Sequence, residues 1–191
     1  MIEWLPILEE LTRAKKVEQT TAIRSSNVWE LENFSVYKFS IDYPSVCRVE
    51  FNPKSGRDKG DVIFHFPDKE RVFLTWGDLK IAEKKFGNAE KHAEHSLQAV
   101  KKNCSVKKMD QILKDTLMIN SHKASYNHVK LDEIQTGIFV GRRVITHETH
   151  SVHLHCNKSS RYFVIYTMLS PNAPKDFDAV FKMMSNSFKC H

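Results

Sequence analysis

Hydrophobic and polar positions alternate most plainly in the last quarter of the chain. His153 to Leu169 reads as two strands around a short polar turn at residues 157–160, because alternate side chains of a strand face opposite ways. Phe177, Val180, Phe181, Met184 and Phe188 then recur at helical spacing, which predicts a helix from about Lys175 to Phe188. Asp176 and Asp178 fall in its first turn, where the helix dipole favours acids, and Pro174 suits its opening. Upstream, Ile2, Leu5, Leu8 and Leu11 predict an amphipathic helix over 2–16, followed by a polar link. Alternation over Val36–Tyr43 predicts a strand stopped at Pro44, and further strands are expected over Val46–Phe51, Asp61–Phe66 and Arg71–Trp76. Residues 54–60 between them are loop by composition. From Leu79 to Cys104 the period changes to that of a helix, one long or two short, with Gly87 as the weak spot. Strands return at Thr116–Ile119 and Lys123–Val129 around a tight turn at Asn120-Ser121-His122, then at Ile138–Cys156 and Tyr162–Leu169.

Hairpin-length links join many of these strands, and helices do not follow each strand in turn. That order predicts an α+β fold, a mainly antiparallel sheet flanked by helices. The 191 residues suit a single domain spanning 1–191, with residues 1–20 forming a helix and link packed on it. A hydrophobic fraction of 41% with 12 Phe supplies a sizeable core. No segment reaches the roughly 20 apolar residues that cross a bilayer as a helix. Glu3, Pro6, Glu9 and Glu10 break up the first stretch, so it does not read as a signal peptide and a cytoplasmic protein is expected.

The net charge of +6 is uneven. Between Lys80 and Lys114 nine lysines face four acidic residues, whereas residues 1–42 are slightly acidic. Nucleic-acid binding through Lys84, Lys85, Lys91, Lys101, Lys102, Lys107 and Lys108 would follow from the Coulomb term and would be salt-sensitive. Phe86 is the single aromatic residue of that stretch, which favours the plainer reading of a solvated helix face.

Catalytic signatures are missing. Gly56 and Gly60 lack the Lys-Ser/Thr of a phosphate loop, and there is neither a Gly-x-Ser-x-Gly elbow nor a His-Glu-x-x-His pair. The expectation is a non-catalytic module without cofactor that binds an unidentified protein or small ligand. Two clusters stand out. On a strand, His147, Thr149, Ser151, His153 and His155 share one face, and His150, Val152, Leu154 and Cys156 the other. The first face reads as wet or groove-lining. His153 and His155 would lie about 6–7 Å apart by strand rise, a spacing that suits Zn²⁺ with a third ligand from a neighbouring strand. With His147 as the further candidate, the rival function is a metal-binding protein or metal-dependent enzyme centred on this strand. The alternative is a solvent-facing polar strand whose histidines titrate near neutral pH. The four cysteines, at 47, 104, 156 and 190, lack Cys-x-x-Cys spacing. A final helix returning across the sheet would bring Cys190 and His191 to the side of Cys156. A Cys156–Cys190 disulfide, a metal site that adds His191, and a buried thiol beside a frayed end are all open.

Phe39-Ser-Ile-Asp-Tyr-Pro44 resembles the opening strand end of the PsbP-like fold, shared by the extrinsic photosystem II protein and a Ran-binding nuclear-import factor. Thr116 to Ala124 is similar to the central hairpin of that fold, with Ser121 where a glycine commonly stands. Arg161–Leu169 followed by Phe177–Cys190 is similar to its terminal strand and helix. The likeness covers about residues 34–190. It implies an α/β/α sandwich and a binding or assembly role without catalysis, and it transfers no site residues.

Overall fold

The computed structural model describes residues 29–34, 36–103, 106–137 and 141–191. The helix expected over 2–16 and Cys104 lie outside the described residues. Seven antiparallel strands form the main sheet. In spatial order they are β3 (Arg48–Phe51), β4 (Gly60–His65), β5 (Arg71–Asp78), β9 (Arg161–Leu169), β8 (Gly141–Cys156), β7 (His122–Gly137) and β6 (Val106–Ile119). A separate antiparallel ribbon pairs β1 (Trp29–Phe34) with β2 (Phe39–Pro44). The α+β expectation holds.

Two helical layers sandwich the sheet. On one face lie the ribbon and α3 (Phe177–Ser187), which share a core of Phe39, Ile41, Phe163, Ile165, Phe181, Met184 and Phe188. The other face carries α1 (Leu79–Phe86) and α2 (Ala89–Asn103), where Val100 packs with Val129 and Leu131. Asp78 caps α1 by accepting from the Ile81 amide, which offsets one of the unpaired donors at a helix start. Gly87 ends α1 with φ of 86°, a conformation that glycine reaches without strain, and Asn88 accepts from the Lys91 amide at the start of α2. The helical stretch is therefore two helices.

The structure departs from the sequence reading at several points. Strand β7 runs on to Gly137, eight residues past the expected Val129, because it stays paired with β8 over that length. Alternation suggested that a strand begins at Val36, but residues 36–38 are a turn, with Val36 75% exposed and Lys38 at φ 53°. The cause is β1, in the segment read as polar link, which makes a hairpin with Phe34 opposite Phe39. Strand β6 starts ten residues before the expected Thr116. It is the sheet edge, and charged Lys107, Lys108, Asp110 and Lys114 stand exposed along it, so no apolar alternation marks it. Ile81, expected on the apolar stripe, is exposed, because the short α1 buries Leu79 and Ala82 instead.

The β6–β7 turn carries both central residues at positive φ, Asn120 at 47° and Ser121 at 65°. Such a two-residue hairpin favours Asn-Gly, since a Cβ at the second position is strained. Ser121→Gly is expected to stabilise the protein by about 1 kcal/mol, read as a raised midpoint in urea unfolding.

Candidate metal centre

The β6–β7 turn, the β8–β9 turn and the segment after α3 meet at one end of the sheet. In the β7–β8 register Ala124 lies opposite Leu154, and its continuation sets His122 opposite Cys156. Ala124, Leu154 and Cys156 belong to the core beneath α3, so both side chains point to that face. Beyond α3, Lys189 exchanges two backbone hydrogen bonds with Ser40 of β2, at 2.8 and 3.0 Å. This pins the segment so that Cys190 turns inward, fully buried, while His191 stays exposed.

Four ligand atoms converge there: one each from His122, Cys156, Cys190 and His191, all within 4.8 Å of one another. His122 Nε2 and His191 Nδ1 lie 3.6 and 3.5 Å from Cys156 Sγ, and His191 Nδ1 is 3.2 Å from Cys190 Sγ. A tetrahedron with Zn–S of about 2.3 Å and Zn–N of about 2.0–2.1 Å has S···N edges of about 3.5 Å, so these three separations fit. The two sulfurs are 2.7 Å apart, with the Cys190 thiol donating to Cys156. A zinc ion would replace that proton and open this edge by about 1 Å. Closing it to about 2 Å would give a disulfide instead.

The electrostatics favour a thiolate at Cys156. Donation from Cys190 pulls the Cys156 thiol down, and the same bond together with burial pushes the Cys190 thiol up. Arg161, 4% exposed, donates to the carbonyls of Lys38, Arg57 and Cys190 at 2.8, 3.0 and 3.4 Å. Burial pulls its guanidinium below the usual arginine range, and the two sulfurs oppose that shift. Cys47, by contrast, is half-buried, and burial pushes its thiol up to about 12.

The three histidines proposed from spacing do not come together. His147 is six residues, about 20 Å of strand, from His153, and its ring lies beside the Leu169 carbonyl and Glu133. The face expected to be wet is covered by α2, which the alternation of one strand could not reveal. His153, 1% exposed, sets Nε2 3.2 Å from Ser96 Oγ, and His155 Nε2 is 3.3 Å from His92 Nδ1. Burial holds His92 down at about 3 and His153 well below the usual histidine range. His122 and His128 escaped the sequence reading. Both carry even numbers along β7, as Cys156 and His150 do along β8, but only the cross-strand register joins them.

Beside the centre opens a cleft of about 650 Å³ lined by Lys38, Arg57, Lys158, Lys189, Arg161 and His191, with Asp58 as its acid. The lysines singled out for nucleic acid lie elsewhere. Lys84, Lys85, Lys91, Lys101 and Lys102 are on exposed positions of α1 and α2, while Lys107 and Lys108 are on the edge strand β6. No helix among the described residues is long and apolar enough to cross a membrane.

No family model and no curated protein sequence matches the chain. Among solved structures it is similar to the solution structure of cyanobacterial PsbP (CyanoP) from Synechocystis sp. PCC 6803. The TM-score is 0.52 at 9% identity, over 91% of this chain and 98% of that one. A crystal structure from Bacteroides thetaiotaomicron is 15% identical over 80% of this chain and 45% of that one; at a TM-score of 0.42 it carries no argument. The fold is thus PsbP-like, and at this identity the fold alone is shared.

Proposed function

We propose that this protein is a non-catalytic binding module built around a Cys₂His₂ zinc centre formed by His122, Cys156, Cys190 and His191. The observation that carries the reading is the convergence of those four ligand atoms within 4.8 Å, two soft thiols and two imidazoles at one end of the sheet. Four protein ligands leave no position open to substrate, which is the arrangement of a structural ion. The ion would lock the segment after α3 onto both hairpin turns and hold the rim of the basic cleft, where His191 stands among lysines and arginines. An anionic group is the ligand that such a rim fits.

The test uses untagged protein in reducing buffer. Cobalt(II) is expected to bind with thiolate-to-cobalt charge transfer, and zinc at 100 times its Kd to stabilise by about 2.7 kcal/mol, an increment that a chelator removes. Cys156→Ser abolishes the charge transfer and removes one equivalent of zinc together with its share of the stabilisation. Cobalt binding without charge transfer, or zinc raising the thermal midpoint of this variant and of the parent equally, would refute the centre.

A second reading rests on the 2.7 Å approach of the two sulfurs, which favours a Cys156–Cys190 disulfide. In that case the purified protein has no free thiol at these positions, and reductant lowers its stability.

A further inference from the structure

A second group of metal-binding side chains lies beside the other end of α3, away from the thiols. In the β7–β8 register His128 stands directly opposite His150, and the rings stack with centroids 4.0 Å apart. His128 Nε2 is 3.1 Å from the carboxylate of Glu148. One ligand atom from each of His128, Glu148 and His150 falls within 4.8 Å of the other two.

The state of His150 is set by what surrounds its other nitrogen. Nδ1 lies 2.9 Å from the Tyr126 hydroxyl and 3.3 Å from Asp178 Oδ1, and the same hydroxyl is 3.4 Å from that carboxylate oxygen. A consistent chain of donors runs from Nδ1–H to Tyr126 and from Tyr126 O–H to Asp178. It places the proton on Nδ1 and leaves a lone pair on Nε2. His150 is 0% exposed, and its Nε2 has no hydrogen-bond partner. A buried acceptor left without a partner is unfavourable, and a cation bound to it would remove that cost. A histidine whose far nitrogen is anchored through a hydroxyl to a carboxylate is the arrangement that orients an imidazole on a metal.

From these contacts we propose that His128, Glu148 and His150 form a second divalent-metal site, for Zn²⁺, with one coordination position open. Two imidazoles and a carboxylate suit zinc, and three protein ligands leave room for water or a ligand group. The opening faces a cleft of about 410 Å³ lined by Lys130, Thr146, Glu148, Pro174, Lys175 and Asp178. Asp178 acts as a positioning residue through Tyr126 and His150, and Lys182 steadies it from one helical turn on, at 2.7 Å. The incoming group at the open position would be a small oxygen donor such as water or a carboxylate, with Lys130 and Lys175 at hand for its negative charge.

The site is independent of the thiols, and the experiment separates the two. In the full chain carrying Cys156→Ser and Cys190→Ser, one equivalent of zinc is expected to remain bound. Cobalt there shows no thiolate charge transfer. Glu148→Gln and His128→Gln, both at partly exposed positions, abolish that equivalent, and Asp178→Asn weakens it by about 10–100-fold. Should the serine variant fail to fold, the parent chain answers the question. His128→Gln lowers its zinc content by one equivalent and leaves any charge-transfer band unchanged. If the Cys₂His₂ centre itself takes no metal, the parent still binds one zinc, lost with Glu148→Gln. Zinc content and affinity unaltered by His128→Gln and Glu148→Gln would overturn the site.

Discussion

Phe181→Ala is expected to lower stability by roughly 3–5 kcal/mol, the cost of removing a buried aromatic ring and leaving its cavity. Phe177, Phe181, Met184 and Phe188 line one side of α3, and each is at most 2% exposed. Phe181 sits in the middle of that stripe at 0% exposure, in the core that joins α3, the β1–β2 ribbon and the main sheet. A domain holds only about 5–15 kcal/mol in all. For a chain of this size each kcal/mol moves the thermal midpoint by about 2–4 °C, so a fall of roughly 6–20 °C is expected. Urea unfolding should show a lower midpoint with an unchanged slope, because the surface exposed on unfolding stays the same. Phe181→Leu keeps much of the volume and should cost well under half as much. A loss below 1 kcal/mol for Phe181→Ala would mean that α3 is not part of the core. The same residue carries a second consequence, since its ring lies 5.6 Å from that of His150. The cavity would free the imidazole, so metal affinity at His128 and Glu148 should fall along with stability.

Burial of the α3 stripe was legible because four large apolar groups at a 3.6 period have one sensible environment. The same logic located the strands buried on a face, β4, β5 and β9, within a residue or two at most ends. It failed where burial is absent. Edge strand β6 pairs with β7 on one side only, and most of its side chains over residues 106–115 are exposed and many carry charge, so that stretch gave no periodic signal. The β1–β2 hairpin was hidden for a related reason: its turn residue Val36 is apolar yet exposed, which extended the apparent alternation. Half of the metal centre could be inferred from topology, because a helix returning over an antiparallel sheet must bring Cys190 back to Cys156. The other half, His122, depends on the register of β7 against β8. A one-residue slip would turn every side chain of β7 to the opposite face, and single-strand alternation does not encode that choice. For the same reason the polar face of β8 was taken as wet. Nothing in the alternation of β8 says that α2 lies over it.

Acid should loosen the α1–α2 layer. His92, 2% exposed, and His153, 1% exposed, are held neutral by burial, His92 at about 3 and His153 well below its usual range. In the unfolded chain both would titrate near 6.5. Below that pH the unfolded state binds more protons than the folded one, so stability is complete above about pH 6.5 and falls as the pH drops toward the folded values. Each group contributes about 1.4 kcal/mol per pH unit in that window, and the two together about 5 kcal/mol between pH 6.5 and 4.5. The surroundings offer little relief. His155, His95 and Lys85 all act on His92 against its protonation, and Glu83 acts on His155 instead. The remaining neighbours are the ring of Phe86, stacked on His92 at 4.2 Å, the edge of Tyr162 and the hydroxyl of Ser96. With chelator present, so that metal loss contributes nothing, the urea midpoint should fall steeply between pH 6.5 and 4.5. His92→Phe, which keeps the stack on Phe86, should remove about half of that slope. A parent midpoint flat across this window would show that both imidazoles can be charged in place, which is incompatible with a dry interface between α2 and β8.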